Sequence, residues 1–456
     1  MGSGSRRRSD AGGRPSLLCL SPSFPPRPAP TAIRAGKLLE RLSSEWDVMV
    51  LAQGEAESPA PAVRVETVRS RRPHRLLALL RRLRMDKLLE MIVWPDESIF
   101  WVIPAILAGR RVIRHERPSA IVVFTMPYSG ALAGIALRRL SGLPLVVNFD
   151  DSPTCTDMHP YFPTRLHHRL ARALEDFCIR HADAVVYVSA RNLERVRARQ
   201  PEAIRERLHL VRYGADPPQA PDVPPSRDFE LVYVGAMSGW WSLVDAEPDP
   251  SPMARIYGAW TRLGRFELTK LDQRTSSPAV VGRAIVGAIA SHAAWVGRVK
   301  LTVYGNPYPP ALVERAMASA GVERVVEVNG PVPHEEVTAI VAGADLLFMT
   351  LPKRLDDSPG GRISAKTYEY LATDRPILAA VPRGENWDYL TGKDGVWLVA
   401  PDDEAGMRAA IVELASAKFA GSPMTFPRED LREELSYDTR AKEFAAVIRA
   451  ALDARR

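Results

Sequence analysis

Three cysteines, Cys19, Cys155 and Cys178, are all that 456 residues contain, and they lie far apart with no CxxC pair among them. A disulfide framework and a zinc site therefore find no support, and a reducing cytoplasm is the expected compartment. Long apolar runs are missing too. The most apolar stretch, SIFWVIPAILAG from Ser98 to Gly109, is broken by Pro104 and falls short of the roughly 20 residues that a helix needs to span a bilayer. The arginine-bearing start, MGSGSRRRSDAGGRP, is followed only by LLCL, too little for the apolar core of a signal peptide. Residues 1–15 are expected to form a disordered tail.

What is present describes a globular protein. The composition is 46% hydrophobic and 25% charged, close to the average for soluble domains, and the length implies two or three domains. A net charge of +7 is compatible with phosphate-bearing ligands, an anionic membrane surface or nucleic acid, and its sign alone does not choose among them.

Short β-rich runs alternate with longer helical patterns in two successive series. The first holds SLLCL (16–20), DVMVLA (47–52), AIVVF (120–124), LVVNF (145–149), AVVYVS (184–189) and LHLVR (208–212). The second holds LVYVG (231–235), KLTVYG (300–305), VVEVNG (325–330), DLLFMT (345–350), PILAAV (376–381) and VWLVA (396–400). Such alternation predicts an α/β protein of two Rossmann-like, doubly wound domains. ADPPQAPDVPPSRD (215–228), with five prolines, reads as the connector between them. Open α/β sheets bind ligands beyond the carboxyl ends of their strands, so two facing domains create one cleft. Residues 236–276, rich in Trp, Pro and Gly, fit neither period and are expected to form an insertion after the first strand of the second domain.

One segment carries chemistry, SPGGRISAKTYEYLATDRPILAAVPRGE from Ser358 to Glu385. A loop after a strand leads into a helix starting near Ser364. Helix starts expose unpaired N–H groups, and glycines allow a ligand to come close to the backbone. Gly360, Gly361, Arg362, Ser364 and Lys366 thus outline an anion pocket. Glu369 follows Ser364 by five residues, roughly 7.5 Å along a helix axis, and a carboxylate can accept both hydrogen bonds of a vicinal diol. Together they would grip a nucleoside diphosphate. The alternative is a solvated glutamate with Lys366 as its i,i+3 partner.

GGRISAKTYEYLATDRPILAAVPRGENWDYL resembles the donor-binding segment of family-4-type glycosyltransferases of the GT-B fold. FPPRPAPTAIRAGKLLERL resembles that family's first loop and helix, and WPDESIFWVIPAILAG with FTMPYSGALAGIALRRLSGLPLVVNFDDS resembles the acceptor-side half of its surface-polysaccharide members. VRYGAD stands where the family has an Asn-Gly-Val-Asp turn before the linker. The resemblance implies an acceptor-binding domain over 16–214 and a nucleotide-sugar-binding domain over 229–430. It also implies that a final helix, 431–456, packs back on the first domain. The expected donor-binding residues are Glu369, Lys366, Ser364, Arg362, Gly361 and Gly360, with Gly235 and Gly305 at strand ends. It further implies transfer from a nucleotide sugar with retention, no bound metal, and no cofactor beyond the donor itself. Three departures stand out. The family's second acid, eight positions before the conserved glutamate, is here Gly361, so its sugar contact falls to backbone or to Asp356 or Asp357. The basic pair after the first strand of the donor domain is missing from VGAMSGWWS, leaving Arg362 and Lys366 to neutralise phosphate. The acceptor-domain histidine is absent from MPYSGALAG.

On the acceptor side, NFDDSPTCTD places Asp150 and Asp151 beyond a strand's carboxyl end. A paired acid there serves as general base or hydroxyl-positioning group, or else as a turn or helix cap; His159 is a weaker candidate. Residues 64–88 hold nine Lys or Arg beside leucines at helical spacing. This reads either as a peripheral contact with anionic lipid at the inner face of the membrane or as a partly buried helix with a solvated basic face. Nucleic acid is not an expected partner, because stacking aromatics are not interleaved. A hydrolysing epimerase of similar fold and an inactive sugar-nucleotide-binding relative are the alternative functions.

Overall fold

Parallel strands dominate both halves of the computed structural model, which describes residues 14–155, 157, 161–217, 226–237 and 251–455. In the first domain seven strands form one sheet. They are β1 (Ser16–Ser21), β2 (Asp47–Gln53), β3 (Val63–Val68), β4 (Ala120–Phe124), β5 (Leu145–Phe149), β7 (Ala184–Tyr187) and β8 (Leu208–Leu210). Their spatial order is β3-β2-β1-β4-β5-β7-β8. A two-residue strand, β6 (Tyr161–Phe162), stands outside this sheet.

The second domain repeats the plan with six strands, β9 (Phe229–Val234), β12 (Val299–Tyr304), β13 (Val326–Val328), β14 (Leu346–Thr350), β16 (Ile377–Ala380) and β17 (Val396–Val399). Their order is β13-β12-β9-β14-β16-β17. In both sheets the order in which strands are added reverses beside the first strand, between β1 and β4 and between β9 and β14. Such a switch point opens a crevice at the carboxyl ends of the strands.

Strands covered on both faces must be apolar on both, and β1, β4, β5 and β14 are buried almost throughout. Side chains alternate across the sheet. Leu18 and Leu20 of β1 face Trp101 and Leu137, from the Ile99–Glu116 and Ser129–Ser141 helices. Leu17 and Cys19 face Leu38 of the Pro30–Leu42 helix and Phe444 of the Tyr437–Asp453 helix. Phe444 stacks on Phe124 of β4 with ring centroids 5.7 Å apart. The last helix of the chain therefore completes the core of the first domain. All three cysteines are buried.

Two expectations need correction. Residues 64–88 are not one amphipathic segment: Val63–Val68 is the edge strand β3, paired with β2, and the helices His74–Arg82 and Asp86–Ile92 follow. Val63, Val65 and Val68 suit a strand. Arg64 and Glu66 are drawn into ion pairs with Glu116 and Arg111 of the neighbouring helix, a charged edge that discourages further pairing.

The insertion, whose residues 238–250 lie outside the described residues, has regular structure from Pro252 onward. It forms a helix (Pro252–Arg262) and the short strands β10 (Phe266–Glu267) and β11 (Leu271–Asp272). β10 pairs antiparallel with β6 of the first domain, and β11 pairs with β15 (Lys353–Arg354) of the second. Among the described residues no helix is long and apolar enough to cross a membrane.

Candidate functional site

The loop after β5 brings the first candidate acids to the cleft and divides them. Asp150 is buried, its Oδ1 accepting from Arg34 at 2.8 Å and from Asn148 Nδ2 at 2.8 Å. Arg34, itself fully buried, also bonds Asn148 Oδ1 and the Val211 carbonyl. Burial raises the Asp150 pKa while Arg34 opposes the shift. Asp150 is thus committed to an internal ion pair rather than presented to the cleft. Its neighbour Asp151 remains partly exposed. Burial pushes its pKa up to about 6, Arg362 of the second domain pulls it down, and Asp150 and Asp157 add to the rise. The pair reads alike in sequence, and tertiary position alone separates them.

This loop is held from beneath. The buried carboxylate of Glu175 accepts from Ser152 Oγ at 2.5 Å, Thr154 Oγ1 at 2.9 Å and Tyr187 Oη at 3.0 Å, and pairs with Arg199. A buried charge held by four donors is well satisfied, so the turn that carries Asp151 is rigidly based. His159 lies outside the described residues.

Across the cleft, the amides expected to bind an anion already hold one. Asp157 Oδ2 accepts from the backbone N–H of Gly361 at 2.8 Å and of Arg362 at 3.1 Å, and Asp157 Oδ1 pairs with the buried Arg354. The glycine pair is needed for this approach. A Cβ on Gly360 would stand 2.6 Å from Asp157 Oδ2, and one on Gly361 would stand 2.3 Å from Asn192 Oδ1. Asn192 Nδ2 donates to the Gly361 carbonyl at 3.2 Å. The glycines therefore admit the other domain of the same chain, not only a ligand. Sequence reasoning missed Asp157, although it stands in the quoted NFDDSPTCTD stretch. Asp356 and Asp357, named as substitutes for the missing acid, are exposed, and Asp356 is bonded to Ser358.

The remaining donor-side candidates separate into two places. Ser364 stands at the N-cap position of a helix of seven residues, Ala365–Leu371, without a side-chain capping bond, and its amide donates to Asn386 Oδ1 at 2.9 Å. Lys366, two residues on, reaches back to the carboxyl end of the sheet, with its Nζ 5.0 Å from the Tyr233 ring centroid. A Cβ on Gly235 would come within 2.9 Å of that Nζ. Gly235 and Gly305 both have positive φ, 142° and 93°, and their backbones stand side by side, with Gly235 N–H donating to the Tyr304 carbonyl at 2.7 Å. Only glycine takes such turns without strain. Lys366, Gly235 and Gly305 are thus gathered, while Glu369 borders a separate cavity of about 110 Å³ shared with Gly214, Val337 and Tyr437. The residues expected to form one pocket thus line different parts of the second domain's surface.

Further contacts tie the domains. Glu385 accepts from the amides of Ala190 and Arg191 at 3.0 and 2.8 Å and from Arg212 at 2.8 Å. The first domain also holds a half-open pocket of about 520 Å³, walled by Leu77, Leu89, Trp94, Tyr128 and Phe162 with Asp96 and His167 at polar positions. Asp96 accepts from the amide and hydroxyl of Ser129 at 3.1 and 2.7 Å. No sequence motif announced this cavity, since its walls come from five separate elements.

The comparisons with known proteins agree with this architecture. The family profile described as a glycosyl transferase 4-like domain matches residues 31–214, and that of glycosyl transferases group 1 matches residues 280–417, together more than two thirds of the chain. A search of curated proteins finds no match. Solved structures of similar fold include sucrose-phosphate synthase from Thermosynechococcus elongatus, with 13% identity and a TM-score of 0.62 over 96% of this chain and 100% of that one. HepE from Anabaena, solved with UDP and glucose, gives 12% identity and a TM-score of 0.59 over 95% and 99%. α,α-Trehalose 6-phosphate synthase from Burkholderia multivorans gives 13% and 0.56 over 97% and 99%. At such identities the likeness speaks for the fold, and the two profiles supply the family. The chain belongs to the family-4-type glycosyltransferases of the GT-B fold.

Proposed function

We propose that this glycosyltransferase moves a hexosyl or related residue from a nucleoside-diphosphate sugar to an acceptor hydroxyl. The transfer proceeds with retention of anomeric configuration and without a resident metal, in glycan or glycoconjugate biosynthesis. The observation that carries the reading is the meeting of Lys366 with the Gly235 and Gly305 turns at the carboxyl edge of the second sheet. A cation beside two backbone turns of positive φ suits a diphosphate that must leave with its charge neutralised.

In this reading Lys366 and Arg362 take up the developing charge, because the amides of Gly361 and Arg362 are already engaged by Asp157. Glu369 accepts the ribose hydroxyls. Asp151, the acid left open to the cleft, orients the incoming hydroxyl, and the aromatic-walled cavity of the first domain receives the acceptor. Close apposition of the two domains excludes water that would otherwise hydrolyse the donor. The protein works in the cytoplasm, resting peripherally on the inner face of the membrane.

The test is incubation of pure protein with UDP, GDP, dTDP and CDP sugars, with and without acceptor and with and without chelator, the products read by NMR. Acceptor-dependent transfer with retained configuration and no effect of chelator is expected. An epimerised donor without acceptor would assign the cleft to a hydrolysing epimerase, and binding without turnover would make the protein an inactive relative.

A further inference from the structure

Two helices from different domains, Pro252–Arg262 and His74–Arg82, carry exposed apolar side chains, and the Asp86–Ile92 helix packs against both of them. In the insertion helix Pro252–Arg262 and the residue just after it, Met253, Ile256, Trp260 and Leu263 are 67, 63, 42 and 64% exposed. The spacing of three, four and three residues places them on one face. Met253, Ile256 and Leu263 are left to water, with the Trp260 ring half covered by Lys87, whose Nζ is 5.4 Å from its centroid, and such a face calls for a partner.

That helix does not hang free. Lys87, buried in the first domain, donates to the Trp260 carbonyl at 2.9 Å and to the Leu263 carbonyl, so a cation caps the negative end of the helix. Tyr257 donates to Asp86 Oδ2 at 2.7 Å, and Arg84 lies over the Tyr257 ring. The same part of the first domain exposes Leu79 and Leu83.

Charge decides the occupant. Arg64, Arg72 and Arg81, which gave the 64–88 segment much of its basic character, are paired with Glu116 or Glu97. Arg75, Arg82 and Arg255 are exposed, and among the described residues no carboxylate pairs with them. Exposed apolar groups on the insertion helix, with unpaired arginines on it and on the His74–Arg82 helix, match an anionic bilayer, whose acyl boundary takes the apolar face while its headgroups take the cations.

We propose that the insertion helix and the His74–Arg82 helix form one bilayer-docking surface, in which Met253, Ile256, Trp260 and Leu263 enter the headgroup boundary and Arg75, Arg82 and Arg255 meet anionic headgroups. The inference rests on the membrane reading above but moves its apolar contact to the insertion. Docking through both domains at once also holds the helices that wall the 520 Å³ cavity against the bilayer.

The experiment is co-sedimentation of the full chain with vesicles of phosphatidylglycerol and phosphatidylcholine, against pure phosphatidylcholine, with solution mass measured by light scattering. Wild type is expected to bind the anionic vesicles preferentially, with a blue-shifted tryptophan emission that Trp260→Phe removes. The double variant Ile256→Glu, Leu263→Glu is expected to lose about tenfold or more in partitioning while its melting temperature is kept, both residues being exposed. If the double variant binds as wild type does while Leu79→Glu, Leu83→Glu fails, the insertion is not the docking element and the membrane reading stands without it. If wild type binds neither vesicle, both are overturned. If wild type is a dimer that the double variant splits, a second copy covers the face and the proposal fails.

Discussion

At the scale of single residues, neighbours in sequence take different roles because burial separates them. Asp150 is spent on Arg34, and Asp151 is left with a carboxyl whose pKa is raised to about 6. If Asp151 acts as a carboxylate, kcat/KM should fall as pH drops through about 6, and Asp151→Asn should abolish that acid limb. The stability linkage has the opposite sense. A carboxyl whose native pKa is raised binds protons more tightly in the native state, so its contribution is fully present below pH 4 and is lost as pH rises through 6. Urea titrations of wild type and Asp151→Asn across that window check the sign.

Glu369→Ala should raise the donor dissociation constant about tenfold or more, since a hydrogen bond to a charged group contributes about 1.5–3 kcal/mol. Calorimetry with the preferred sugar nucleotide reads this directly, and an unchanged constant in a folded variant removes Glu369 from the donor site. Asp157→Ala, by contrast, frees the Gly361 and Arg362 amides for a diphosphate oxygen. It is expected to tighten binding of the nucleoside diphosphate several-fold; weaker binding would make Asp157 part of the donor site instead of a competitor for it.

Elements were legible where their periodicity was strong. The strand pattern around each β1-like and β4-like segment reads directly from runs such as AIVVF and DLLFMT, because strands buried on both faces must be apolar throughout. β3 was missed because its alternating Val, Arg and Glu residues belong to an edge strand, and the leucines at helical spacing that follow suggested one amphipathic segment. The insertion was missed as structure because its helix and two-residue strands are stabilised by contacts with other elements rather than by their own pattern. At this scale Phe444→Ala is expected to cost about 3–5 kcal/mol, as for other aromatic-to-alanine changes in a packed core. Thermal denaturation should show this as a loss carried by the first domain, which Phe444 joins through Phe124.

Across the whole molecule, the two sheets are joined by more than the connector. The last helix packs on the first domain, β10 pairs with β6, Glu385 meets the Ala190 and Arg191 amides, and Asp157 reaches the Gly361 loop. Deletion of residues 437–456 should therefore expose the face of the first sheet that carries Leu17, Cys19 and Phe124. Insoluble protein or a lost cooperative transition is expected, whereas a soluble truncated chain with an unchanged melting temperature would contradict that role for the helix.

The amino-acid sequence by itself determined two parallel α/β domains and which loop bears the glycines, Lys366 and Glu369, because burial and backbone freedom impose residue types locally. Only the tertiary structure decided which aspartate is buried against Arg34, that Asp157 sits on the Gly361 and Arg362 amides, and that the insertion spans both domains. Those outcomes depend on contacts between residues roughly 200 positions apart, and no local pattern encodes which distant partner will arrive.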